Sequence, residues 1–130
     1  MIVLYLIDAF NVIFSERTLQ KLALIDPSSA HHEFLRLVSD FCERDDSRAI
    51  LVYDGGNCIG AKCFYRDGHV KAYYVCGEAD PLIIDMAPKL FKHNPELTVV
   101  STDRVIRGHC GQMGIKTIGS MTFFREFLSR

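Results

Sequence analysis

The chain opens with MIVLYLIDAFNVIF, residues Met1 to Phe14. Ile2–Ile7 is an unbroken apolar run with a strong β preference. It is too short for a helix and has the character of a strand buried on both faces, as in a parallel sheet. The run ends in Asp8, and Asn11 follows before the chain turns apolar again at Val12–Phe14. A carboxylate at the end of such a strand has two readings. It caps a following turn, or it belongs to a site at the edge of the sheet.

Working outward, Ser15–Ile25 is weakly helical, with Leu19, Leu22 and Leu24 apolar. The next segment, DPSSAHHEFLRLVSDFCER, places Asp26 as N-cap and Pro27 at the first helical position. Ala30, Phe34, Leu37, Val38, Phe41 and Cys42 then recur at helical spacing. RAILVYD is a second strand, ending at Asp54. GGNCIGAKCFYRDG is a glycine-punctuated loop with a short strand at Lys62–Tyr65 and a hairpin turn at Asp67-Gly68. HVKAYYV is a third main strand. CGEADPLIIDMAPKLFKH gives a helix with Asp80 as N-cap and Pro81 next, kinked or shortened by Pro88. ELTVVSTD is a fourth strand ending near Asp103, DRVIRGHCGQMG a helix stopped by Gly114, and IKTIG a fifth strand. SMTFFREFLSR is a final helix capped by Ser120, with Phe123, Phe124, Phe127 and Leu128 inward. Strands alternating with helices predict an α/β fold, a central mostly parallel sheet with helices on both faces. No linker divides residues 1–130, so one domain is expected.

The 130 residues are 48% hydrophobic and 24% charged, with a formal net charge of -1. These proportions are those of an ordinary globular domain, and global charge points to neither nucleic acid nor membrane. The start lacks the basic region and cleavage site of a signal peptide, and no run approaches the roughly 18 apolar residues of a membrane span. Five cysteines without a secretory signal are expected to stay reduced, in the cytoplasm.

Against this layout the aspartates take on meaning. Asp8, Asp54 and Asp103 follow strands, and Asp80 begins the helix after a strand. In an open parallel sheet the strand C-termini share one edge, where ligands bind. Four carboxylates are therefore expected to face one crevice. Two carboxylates about 4 Å apart repel by roughly 4 kcal/mol at an effective dielectric near 20. Such a cluster calls for protons, splaying or a cation, and all-oxygen donors select Mg²⁺ or Mn²⁺. An ion so held serves phosphodiester hydrolysis. Each residue keeps a plainer reading: Asp80 and Asp103 as caps, Asp54 as a turn residue before Gly55-Gly56, and Asn11 as a turn residue. Ser101 and Thr102 offer hydroxyls beside Asp103, and Asp85 is a weak candidate for a secondary ligand. Lys62, Arg66 and Lys71 around the long loop, and Arg104 and Arg107 after Asp103, are candidate phosphate contacts or simply solvated charge.

Other chemistries fit less well. Neither GxxxxGK[ST] nor GxGxxG is present. CIGAKC lacks a second ligand pair for structural zinc. His109 and Cys110 are adjacent in a predicted helix and point apart, His31-His32 reads as a solvated surface, and Met113 and the Phe123/Phe124/Phe127 stripe read as core.

Taken together, LIDAFNVI, AILVYDGG, GEADPLIID and VVSTDRVIRGHCGQMGIKTIGSMTFFREF resemble the YacP-like NYN family, relatives of the PIN-domain ribonucleases. The first resembles that family's DGYN motif and the last its TSD segment. The resemblance spans nearly the whole chain. It implies a PIN-like three-layer α/β/α sandwich and an endoribonuclease dependent on Mg²⁺ or Mn²⁺. Asp8, Asp54, Asp80, Asp103 and Asn11 would be catalytic, with Asp8, Asp80 and Asp103 holding metal. With RNA as the substrate, free or presented by a ribosome or another partner, the candidate contacts that the residues themselves offer are Asn11, Thr102, Arg104, Lys62, Arg66 and Lys71. Ala9 and Phe10 replace the motif's glycine and tyrosine, and Ile84 stands where the family often has an acid. A non-catalytic PIN-like RNA- or protein-binding module is the alternative, and a phosphatase for small esters a third reading.

Overall fold

A computed structural model describes residues 2–56 and 61–129. Its elements run β1 (Leu4–Asp8), α1 (Ala9–Ser15), α2 (Arg17–Ile25), α3 (Pro27–Asp45), β2 (Arg48–Gly56), β3 (Ala61–Arg66), β4 (Val70–Cys76), α4 (Ala79–His93), β5 (Leu97–Val100), α5 (Arg104–Gln112), β6 (Lys116–Ile118), α6 (Ser120–Phe123) and a π-helical turn at Phe124–Leu128. The six strands form one sheet in the order β3-β4-β2-β1-β5-β6. All neighbours are parallel except the β3–β4 hairpin at one edge. This is the expected PIN-like α/β/α sandwich. The zinc reading of CIGAKC depends on Cys58, which lies outside the described residues with the rest of 57–60.

Burial explains the opening run. Every residue of β1 is buried, and its side chains alternate between two cores. Tyr5 and Ile7 belong to the core shared with α1, α2, α3 and α6, which includes Val12, Leu19, Phe34, Phe41 and Phe123. Leu4 and Leu6 face α4 and α5 through Ile83, Ala87, Ile106 and Cys110. Phe41 sits between Tyr5 and Phe123, with ring centroids 5.6 and 5.9 Å away.

Several local expectations are corrected. Ala9–Ser15 is a helix where only a turn was expected. Helix α4 starts one residue before Asp80, with Glu78 at the N-cap position, and runs through Pro88 to His93. Pro88 removes one backbone bond without ending the helix. Strand β5 stops at Val100, three residues short of Asp103. Ser120 is the first helical residue, with Gly119 as N-cap. Met113 lies at the C-cap of α5, before Gly114 at φ +75°, and is exposed instead of core. Asp26 caps α3 as expected, accepting from the Ser29 N–H.

Phe41→Ala is expected to cost about 3–5 kcal/mol, since it opens a cavity between three aromatic rings. Met113→Ala is expected to stay within about 0.5 kcal/mol. Urea denaturation of both variants checks the contrast.

Candidate active site

Asp8 ends β1 and is only 4% exposed. Ser101, just beyond β5, donates its hydroxyl to Asp8 Oδ2 at 3.0 Å. The Ser101 oxygen in turn accepts the Asp103 N–H at 3.1 Å, which leaves its single proton for Asp8. Even so, the Asp8 carboxyl is pushed up to about 7. Burial is the main cause, opposed by the Ser101 bond and reinforced by Asp80 and Asp54.

Asp54 lies inside β2 and is not a turn residue. The β2–β4 register shifts between Tyr53 and Gly56, and Gly55 takes φ +86°, a conformation that only glycine adopts without strain. This irregularity sits directly beside Asp54, whose Oδ2 accepts the Ala79 N–H at 3.3 Å at the start of α4. Asp80 follows in the first turn of α4. Its carboxyl is also raised, chiefly by burial, then by Asp103 and Asp54. Asp103 accepts the Val105 and Ile106 N–H groups at 2.9 and 3.1 Å. The capping reading of Asp103 therefore holds, alongside its contact with Asp80.

Asn11 does more than form a turn. Its Oδ1 accepts the Thr102 N–H at 2.9 Å and the Ser120 hydroxyl. The Ser120 N–H donates to Thr102 Oγ1 at 3.2 Å. Asn11 thus ties α1 to the turn after β5 and to the start of α6, and its amide oxygen is already engaged. Ser120 is the residue the sequence concealed. A serine after glycine at a helix start reads as a cap, and nothing local shows that its hydroxyl reaches a side chain 109 positions away.

An open cavity of about 500 Å³ gathers Asp8, Asn11, Asp54, Asp80 and Thr102 together with Phe10 and Phe14. Asp103 interacts with Asp80 but does not itself line the cavity. Nor do Arg104, Lys62, Arg66 or Lys71. The last three belong to the β3–β4 hairpin. Asp85 faces outward and pairs with Lys89 at 3.0 Å. Among the described residues none of the four site aspartates is ion-paired with a Lys, Arg or His. No three His, Cys, Asp or Glu side chains among those residues form a ready-made metal cage. The carboxylates share a cavity without closing on one point. His31 is not a solvated surface residue. Half-buried, it packs against Phe10 and Tyr53, and its Nδ1 lies 3.1 Å from the Tyr74 hydroxyl.

A family model described as YacP-like NYN domain matches residues 5–129. Two crystal structures of YacP (Rae1) from Bacillus subtilis share the fold. One, a tryptophan-to-leucine variant, gives a TM-score of 0.77 at 17% identity, covering 96% of this chain and 74% of that one. The other gives 0.76 at 19%, covering 97% and 73%. A search of curated proteins returns no match.

The Asp8 shift carries a signed pH dependence. The folded protein keeps the Asp8 proton up to about pH 7, whereas the unfolded chain releases it near 3.8. Stability from this group is therefore present at about pH 4 and declines as pH rises to 7. Asp8→Asn keeps an acceptor for Ser101 and removes the charge. The variant is expected to exceed the metal-free wild type at pH 8 by roughly 2–4 kcal/mol, with the gap narrowing at pH 5. Urea titrations in EDTA at both pH values measure it. Taking the difference between the two proteins cancels His31, whose lowered pKa acts in the opposite direction.

Proposed function

The chain belongs to the YacP-like NYN domain family, nuclease-like domains associated with RNA, and from that premise and the acidic cavity we propose that it is a metal-dependent endoribonuclease. The observation that carries the reading is the convergence of Asp8, Asp54 and Asp80 on one open cavity with no ion-paired cation among the described residues. A protein does not accumulate like charges at a half-buried edge without a compensating partner. The donors are all oxygens, which fits Mg²⁺ or Mn²⁺.

Asp8, Asp80 and Asp103 would hold the ion, directly or through water, with Asp54 as a further ligand or an orienting neighbour. Water completing the shell suits Mg²⁺, which keeps several of its waters. The chemistry such an ion supplies is activation of water and neutralisation of charge on the phosphoryl oxygens. Ser101 orients the Asp8 carboxylate, and the Ala79 N–H orients that of Asp54. Asn11 holds the Thr102 turn against α1, fixing the wall beside the phosphate. Water attacking in line leaves a 5′-phosphate. RNA, free or presented by a ribosome or another partner, is the substrate, and the place of action is the cytoplasm.

The absence of a three-ligand cage among the described residues, with Ile84 one helical turn after Asp80, favours the second reading, a non-catalytic RNA- or protein-binding module.

Asp8→Asn, Asp80→Asn and Asp103→Asn are each expected to lower Mn²⁺-dependent cleavage of single-stranded RNA by 100-fold or more, on the order of one lost electrostatic contact in a transition state. EDTA is expected to abolish cleavage by the wild type. Asn remains a good N-cap, so Asp103→Asn separates metal binding from helix capping. Normal cleavage by all three variants would sink the proposed site. Calorimetry showing no millimolar-or-better Mn²⁺ binding, together with no EDTA-sensitive cleavage, would establish the binding module instead.

A further inference from the structure

The cavity is also lined by side chains of different chemistry. Phe10 and Phe14 lie one helical turn apart on α1 and line the cavity beside Asp8, Asp54 and Asp80. Their rings are stacked, with centroids 5.9 Å apart and planes 26° apart. Phe10 is clamped from behind by His31 at 4.9 Å and by Tyr53, edge-on, at 5.7 Å. Behind these rings Tyr74 packs on both His31 and Tyr53. The inner ring is therefore rigid. Phe14 is the outer ring, 43% exposed, and among the described residues its ring contact is with Phe10.

Two features of the cavity bear on what this ring meets. The first is size. At about 30 Å³ per water, an ion with six waters takes roughly 200 Å³. The cavity, at about 500 Å³, leaves room for a further planar group. The second is charge. Among the described residues no Lys or Arg lines it, and its charged groups are the carboxylates of Asp8, Asp54 and Asp80. Affinity beyond that of the ion then draws on interactions other than ion pairs with these lining residues. An exposed, rigidly backed aromatic ring supplies one, because every nucleobase has a π-face and stacking tolerates any sequence. A base inside a duplex has both faces covered, so only an unpaired one is open to the ring.

We propose that Phe14, backed by Phe10, is a stacking platform for one unpaired base adjoining the phosphate that the aspartates address, so that the site selects single-stranded RNA. This rests on the ribonuclease reading for the identity of the ligand, and on the shared cavity for the placement of the ring.

The chain contains no tryptophan, so Phe14→Trp introduces a single indole at the platform. The full chain carrying Phe14→Trp is titrated in EDTA and in Ca²⁺ with three probes: a single-stranded hexaribonucleotide, its abasic counterpart and the same hexamer in a duplex. Indole fluorescence is expected to be quenched by the first probe and several-fold less by the other two. In parallel, Phe14→Ala and Phe14→Leu are expected to weaken binding of the intact hexamer and raise the KM for its Mn²⁺-dependent cleavage by about 5- to 100-fold. Binding of the abasic probe is expected to stay unchanged, and Phe14→Tyr to restore the wild-type values. Thermal melting of each variant separates stacking from a purely structural role, which would shift stability without distinguishing intact from abasic RNA. Equal quenching by intact and abasic probes, or unchanged binding and KM in Phe14→Ala, overturns the platform and leaves the ribonuclease reading standing if cleavage persists. Base-dependent quenching with no metal-dependent cleavage upholds the platform and removes the nuclease. Neither binding nor cleavage overturns both.

Discussion

Strand β1 is hydrogen-bonded on both sides by parallel neighbours, β2 and β5, and that pairing decides where Asp8, Asp54 and Ser101 stand relative to one another. Asp8 pairs with Val52, which places Asp54 two residues further along β2 toward the same edge. Ile7 pairs with Val100, so Ser101 leaves β5 level with Asp8 and reaches it with its hydroxyl. A slip of one residue would exchange Leu6 with Ile7 between the two cores and turn Asp8 away from the cavity. The fully buried alternation of Leu4–Ile7 makes that slip costly. The hydrophobic core thereby fixes the position of the acid.

The compensation the protein itself offers these acids is dipolar. Helices α1 and α5 begin at Asp8 and Asp103, and α4 begins beside Asp54, so three helix N-termini point at this edge. Each contributes roughly half a positive charge, and such interactions are worth about 0.3–1 kcal/mol when partly exposed. The Ser101 hydroxyl and the Ala79 N–H add single hydrogen bonds. Against repulsion of roughly 4 kcal/mol for a close carboxylate pair, these contributions fall short. Burial is the main cause that raises the Asp8 and Asp80 carboxyls, and the neighbouring carboxylates add to it. A divalent cation would supply the missing charge, and a proton does so less completely.

What was legible in the sequence follows from which signals are local. The continuous run ending in Asp8, the amphipathic pattern of α3 and the alternation of strands with helices all repeat within a few residues, so they announced the sheet and its acidic edge. Helix α1 escaped because AFNVIFS is short and rich in β-branched and aromatic residues, and only tertiary packing of Val12 and Ile13 makes it helical. His31 was misread because its polar environment comes from Tyr74, 43 positions away. Asp80 shifted from cap to first turn because α4 begins at Ala79, whose N–H is taken up by the distant Asp54. That Phe10 and Phe14 line the cavity was hidden because aromatic residues four apart on a helix look the same whether they face a core or a cavity.

The acidic and aromatic linings of the cavity meet in α1. This helix begins directly after Asp8, carries Asn11 in its first turn and ends one residue after Phe14. Its seven residues fall well below the roughly 12–15 that an isolated helix needs for marginal stability, so its position is set from outside. Packing of Val12 and Ile13 sets its depth in the core. The bonds from Asn11 to Thr102 and Ser120 set its rotation against the turn that carries Ser101 and Asp103. Asn11 therefore governs two distances at once, from the exposed Phe14 ring to Asp8 and from Asp8 to the Ser101–Asp103 turn. On this geometry the amide does its work through position, by making the carboxylates and the aromatic ring parts of one rigid surface.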